Sequence, residues 1–163
     1  MGADIHLYVE KRLSNGEWAF VRDLNETIVL SGLSTSPGTD KPRSGYWKLG
    51  GRNYRLFARL AAVRGDGPAP KGLPKDVSDY VLEESYGFGS DGHSHSWSTP
   101  MEFMEAYIGA TQEHVDDGAE LNEYAQIRIA EGAASALTHF MADMCSLDMG
   151  QRDEYRFVYW FDN

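Results

Sequence analysis

Residues 86–100 read YGFGSDGHSHSWSTP, and the chain opens with Asp4-Ile5-His6. Side chains of an extended segment alternate from side to side, so Asp91, His93 and His95 are expected to point one way, and Asp4 with His6 repeats the Asp-x-His spacing. Imidazole nitrogens and carboxylate oxygens in that pattern can chelate a divalent transition metal such as zinc or manganese. Asp4, His6, Asp91, His93 and His95 therefore form the candidate metal set. Without a metal, His93 and His95 are the candidate catalytic acid–base pair. A plainer alternative is histidines that only hydrogen-bond in a hydrated loop, and an isolated His-x-His does not decide among the three.

The flanking residues add anion chemistry. Thr99-Pro100-Met101-Glu102 combines an N-cap, a proline at the first helical position and the Glu of a capping box, so a helix is expected from Pro100 to about Thr111. Its first N–H groups and dipole suit a phosphate or carboxylate, with Ser94, Ser96 and Ser98 as further donors. Arg52, Arg55, Arg59 and Arg64 lie on or beside another expected helix and offer bidentate contacts; Tyr54 and Trp97 could stack on a base or sugar. The candidate ligand-binding residues are Arg52, Tyr54, Ser94, Trp97 and Thr99. Gly87, Gly89 and Gly92 fit G-x-G-x-x-G, but the dinucleotide fingerprint needs a strand before it and a helix directly after, and neither is expected here. Cys145 and His139 are six apart in an expected helix, on different faces, so a nucleophilic pair is disfavoured.

The elements that must position these residues follow from periodicity. Residues 4–10 alternate, with Ile5, Leu7 and Val9 on one side and Asp4, His6, Tyr8 and Glu10 on the other. Asn15-Gly16 predicts a two-residue hairpin turn, which would pair Leu13 with Trp18 and put Trp18 and Phe20 on the Ile5 face, where Lys11 is the one misfit. Strands are expected near 3–13, 17–23 and 154–162, with a long loop at about 31–51. Helices are expected over NYRLFARLAAVRG, stopping at Gly65, over DYVLEES, and from about Asp117 to Leu147. YRFVYWFDN is apolar or aromatic on both faces, which predicts a central strand covered on both sides and, beside the first strand, a His6 that needs a partner. The fold class is a single α+β domain over 1–163: a mainly antiparallel sheet with helices packed on one face, chiefly that of Ile5, Leu7 and Val9.

Composition bounds the function. The chain has 163 residues, 15 basic against 25 acidic, for a net charge of −10. That balance disfavours direct nucleic-acid binding or attraction to an anionic membrane, but suits docking to a basic protein. One cysteine excludes an intrachain disulfide and fits a reducing compartment. No apolar run approaches the roughly 18 residues of a membrane span.

MGADIHLYVE, RNYRLFARLAAVRG, GLPKDVS, HSHSW and FVYWFDN, in this order over most of the chain, resemble a family of small uncharacterised proteins of tailed bacteriophages and prophages. The resemblance implies a phage accessory protein in a host cytoplasm, and nothing about mechanism. Together these readings predict recognition of a small phosphorylated or nucleotide-like ligand, with hydrolysis by a metal-assisted hydrolase or phosphodiesterase as its enzymatic version. The alternative is an acidic, non-enzymatic inhibitor that covers a basic surface of a host protein.

Overall fold

The computed structural model describes residues 2–22, 53–117 and 153–163. The loop at 31–51, the helix expected at 117–147, Arg52, His139 and Cys145 lie outside the described residues. Among the described residues, four strands and three helices run in the order β1 (Asp4–Arg12), β2 (Trp18–Phe20), α1 (Tyr54–Ala61), α2 (Asp79–Gly87), β3 (His93–Ser98), α3 (Pro100–Asp117) and β4 (Tyr155–Asp162). The strands form one antiparallel sheet in the order β2-β1-β4-β3, an α+β domain. The terminal strand is central, as its two-sided apolar pattern predicts, and pairs with the first strand from Asp4↔Asp162 to Lys11↔Tyr155.

Odd-numbered positions of the central strands build the larger core. Ile5, Leu7 and Val9 join Phe157, Tyr159 and Phe161 under Leu56, Phe57 and Leu60 of α1 and Phe103, Met104 and Tyr107 of α3. Burying each large apolar side chain contributes roughly 1.5–3 kcal/mol, so this face is the main source of stability. Two of the three helices lie on it. The opposite face carries Tyr8, Val158 and Trp160 and is covered by Val81 of α2 with Leu73, Val77 and Phe88 around it.

Local signals place the helix ends. Asn53 Oδ1 accepts from Leu56 N–H at 3.1 Å and starts α1. Ala62, in the left-handed region at φ 54°, ends it three residues before the expected stop at Gly65. Gly67 explains the early exit: a Cβ there would lie 1.8 Å from the Ala58 carbonyl oxygen, so the returning chain crosses the helix end at backbone distance. The capping box of α3 forms as expected, with Thr99 N–H donating to Glu102 Oε2 at 2.8 Å and Glu102 N–H donating to Thr99 Oγ1 at 3.2 Å.

The first hairpin departs from its expected register by one residue. Leu13 N–H donates to the Glu17 carbonyl and Gly16 N–H to the Leu13 carbonyl, with Gly16 at φ 88°: a three-residue loop with a left-handed third residue, not a two-residue turn. Asn15 Oδ1 accepts from Glu17 N–H and holds the loop. Arg12 therefore pairs with Trp18 and Glu10 with Phe20. Because side-chain direction has period two, the shift carries Trp18 and Phe20 off the Ile5 face onto the face of Tyr8 and Glu10. Phe20 packs there, its ring 6.1 Å from that of Tyr8 and 4.2 Å from that of Tyr80.

Candidate functional site

HSHSWS, which the sequence leaves open between an extended segment and a hydrated loop, is the edge strand β3, and it contains the irregularity that decides the fate of the histidines. Ser98, Trp97 and Ser96 pair in regular register with Phe157, Val158 and Tyr159, but His93 pairs with Phe161, so Ser94 and His95 together oppose Trp160. Ser94 makes this bulge by taking φ 52°. A regular strand would turn His93 and His95 to the same side; one extra residue sends them to opposite faces. His93 lies toward Phe161, with Nδ1 3.0 Å from Ser94 Oγ, whereas His95 stacks on Trp160 at 5.6 Å.

His6 shares the His95 face but not its strand. It pairs directly with Trp160, so a whole strand separates it from β3, a backbone separation of about 9–10 Å across two strand spacings. The Trp160 indole lies between the two imidazoles, 6.3 Å from His6 and 5.6 Å from His95. Asp4 faces Asp162 across β1 and β4, and Asp91 sits in the exposed turn after α2. The expected set Asp4, His6, Asp91, His93 and His95 is thus dispersed. Among the described residues no three His, Cys, Asp or Glu side chains converge as metal ligands. The separation of His93 from His95 also undoes the catalytic pair, and its cause is the bulge.

The imidazoles instead belong to the packing beneath α2. His6 is only 6% exposed, lies under the Phe88 ring at 4.2 Å, and has Nε2 3.2 Å from Asp162 Oδ2 without the alignment of a hydrogen bond; its Nδ1 has no partner among the described residues. Burial lowers its pKa below 6.5 against the opposing pull of Asp162, Asp4 and Glu84. His95 Nε2 shares a 2.9 Å hydrogen bond with buried Ser85 Oγ, and burial, assisted by the nearby His93, lowers its pKa as well. Burial thus favours the neutral form of both rings.

The glycine stretch links a helix to a strand, the reverse of the order that cradles a dinucleotide, so the expectation against that reading stands. Of the described arginines, Arg59 pairs with Glu113 of α3, and Arg64 lies 5.9 Å over Tyr54. Tyr54 itself belongs to α1, across the sheet from Trp97. The α3 N-terminus already has its own cap.

Farther along the His6 face, the strands end in a cleft of about 540 Å³ lined by cations and aromatic rings. An ion network runs from its floor, at buried Glu10 and Arg156, to exposed Asp76. Arg156 Nε donates to Glu10 Oε2 at 2.7 Å and its NH1 to Asp76 Oδ1 at 2.7 Å, while Ser78 N–H donates to Glu10 Oε1 at 2.8 Å. Trp18 lies against the Arg156 guanidinium at 4.0 Å and donates its indole N–H to Asp76 Oδ2. The hydrogen bond from Arg156 is the largest influence holding the Asp76 pKa below its usual value. On the cleft walls Arg12 lies 5.9 Å over Trp18, Lys75 has no carboxylate partner among the described residues, and Lys71 Nζ sits 4.5 Å over Trp97. Thr99 and Tyr155 complete the lining with Asp76 and Asp153.

No family model, no curated protein and no solved structure matches this chain. The geometry of the cleft is therefore what argues for a site.

Of the expected ligand-binding residues, the structure brings Trp97 and Thr99 into the cleft; Ser94 forms the bulge instead, and Tyr54 lies elsewhere. Reading the sequence missed Arg12, Trp18, Lys71, Lys75 and Arg156. One signal was present: Arg156 interrupts a strand whose neighbours are otherwise apolar or aromatic, and a buried arginine demands an acidic partner. That partner, Glu10, is 146 residues away, on the face shared with His6.

Proposed function

We propose that the protein recognises a small phosphorylated or nucleotide-like ligand in the cleft between Trp18 and Trp97, as a phage accessory protein acting in a host cytoplasm. One observation carries this reading: on a chain of net charge −10, Arg12, Lys71 and Lys75 are gathered in a concave site beside two indoles and a tyrosine. Cations attract the anion, and flat rings offer a base or sugar a stacking surface. The Glu10–Arg156–Asp76 network, buried at Glu10 and Arg156, supplies rigidity, because Arg156 is held by hydrogen bonds on three of its nitrogens. Recognition without hydrolysis is the adopted reading, since His93 and His95 share no reaction face.

Thermal-shift and calorimetric titration against nucleoside phosphates, cyclic nucleotides and inorganic phosphate test this. Binding that Lys75→Glu and Arg12→Glu each weaken by about tenfold or more is expected for charged hydrogen bonds. A wild-type protein that binds none of these compounds would end the reading.

A second open cavity of about 460 Å³, lined by Asp66, Glu102, Glu105 and Glu113 with Arg59, favours the alternative, an acidic surface covering a basic site on a host protein. That function would survive both cleft substitutions and fail on charge reversal at Glu105 and Glu113.

A further inference from the structure

Lys71 occupies an unusual place for an anion-binding cation. Its ammonium rests over the Trp97 ring at 4.5 Å and lies 3.1 and 3.3 Å from the two carboxylate oxygens of Glu102. That indole packs against the cluster of Tyr8, Val81, Val158 and Trp160 and also lines the cleft, where Lys71 covers a face of its ring. The backbone on either side of this contact is fixed: Lys71 N–H donates to Ser96 Oγ at 3.1 Å and Gly72 N–H to the His95 carbonyl at 2.8 Å. Only the flexible side chain, about two-fifths exposed, needs to move to open the ring.

We infer that the cleft takes a planar ring bearing a single phosphate, the ring on the Trp97 face that Lys71 now covers and the phosphate on Lys71 itself, released from Glu102. This rests on the reading of the cleft as a ring-and-anion site and assigns its ligand class. The charges set the size of the anion. Arg12, Lys71 and Lys75 are the cations outside the ion network, while Asp76, 65% exposed at its side chain, and Asp153 stand on the rim. The Glu10–Arg156–Asp76 network carries one net negative charge and Asp153 a second, so the three cations leave the lining only weakly positive, which suits one phosphate. A polyphosphate tail would be driven against the rim carboxylates. Glu102 is then the residue that sets affinity, because the ligand must take Lys71 from it. An exposed pair of this kind shifts an equilibrium by at most about fivefold, little enough for a ligand to displace it.

Glu102 also caps α3 through Thr99 N–H, and glutamine serves that role as well as glutamate. Glu102→Gln thus removes the negative charge that holds Lys71 while keeping the helix end. The test is calorimetric titration with adenosine 5′-monophosphate, adenosine 5′-triphosphate and inorganic phosphate, without divalent metal, on the wild type, Glu102→Gln and Lys71→Met. The expected results are monophosphate binding about two- to fivefold tighter in Glu102→Gln and about tenfold or more weaker in Lys71→Met. The monophosphate should also bind tighter than either the triphosphate or free phosphate. Wild-type binding that Glu102→Gln leaves unchanged or weakens, or a triphosphate that binds tighter than the monophosphate, would overturn this inference alone. A wild type that binds no nucleotide would overturn both it and the function it rests on. Should Glu102→Gln fail to fold, the Lys71→Met loss and the order of the three ligands decide.

Discussion

The two faces of the central strands are built on opposite principles. Under α1 and α3, Phe57, Phe103, Phe157 and Phe161 pack ring on ring, 4.7–4.9 Å apart at Phe103–Phe157 and Phe57–Phe161, and need only shape and apolar area. Under α2 the same strands present Tyr8, Glu10 and Arg156, whose buried polar groups meet directed partners, beside a His6 held mainly by ring packing. Tyr8 donates to Glu84 of α2, Ser78 N–H meets Glu10, and Ser85 meets His95. Non-directional packing stabilises; directed polar contacts fix where α2 and the cleft sit. The candidate site lies on the second face.

Paired deletions should expose that difference most strongly. On the apolar face Phe103→Ala is expected to cost about 3–5 kcal/mol in urea unfolding, and adding Phe157→Ala should cost more, because each truncation leaves unfilled space. On the other face Arg156→Ala is also expected to cost about 3–5 kcal/mol, since it strands the buried Glu10 carboxylate, but adding Glu10→Leu should recover much of the loss. If the second deletion hurts equally on both faces, the contrast is wrong.

A smaller effect separates the faces by pH. His6 and His95 have lowered pKa values in the fold, so the unfolded chain takes up protons first as pH falls. The stability they contribute is complete above the unfolded value of about 6.5 and is lost progressively below it. Midpoints measured from pH 7.5 to 5 should therefore fall, and His6→Phe should flatten the decline without altering the apolar-face costs. Asp162→Asn, which removes the carboxylate that favours the protonated ring, should steepen it.

The smallest expected change is local: Thr99→Ala removes the α3 cap at about 1 kcal/mol, with no pH dependence tied to the histidines. A loss above 2 kcal/mol would mean that Thr99 supports the cleft as well as the helix end.

The sequence by itself determined whatever depends on neighbours a few positions apart: the alternation that makes β1 a strand, the two-sided apolar run that makes β4 a central one, the Thr99–Glu102 box, the Asn53 start of α1, and the identity of the apolar face. Those signals repeat or close within a single turn of chain. What only the tertiary structure decided depends on one-residue offsets and on distant partners. The three-residue loop at Ser14-Asn15-Gly16 moved Trp18 into the cleft, the Ser94–His95 bulge divided the two histidines, and Arg156 found Glu10 across the whole length of the chain. In a strand a slip of one position reverses every side chain, while the local composition that permits the slip hardly differs from the composition that forbids it.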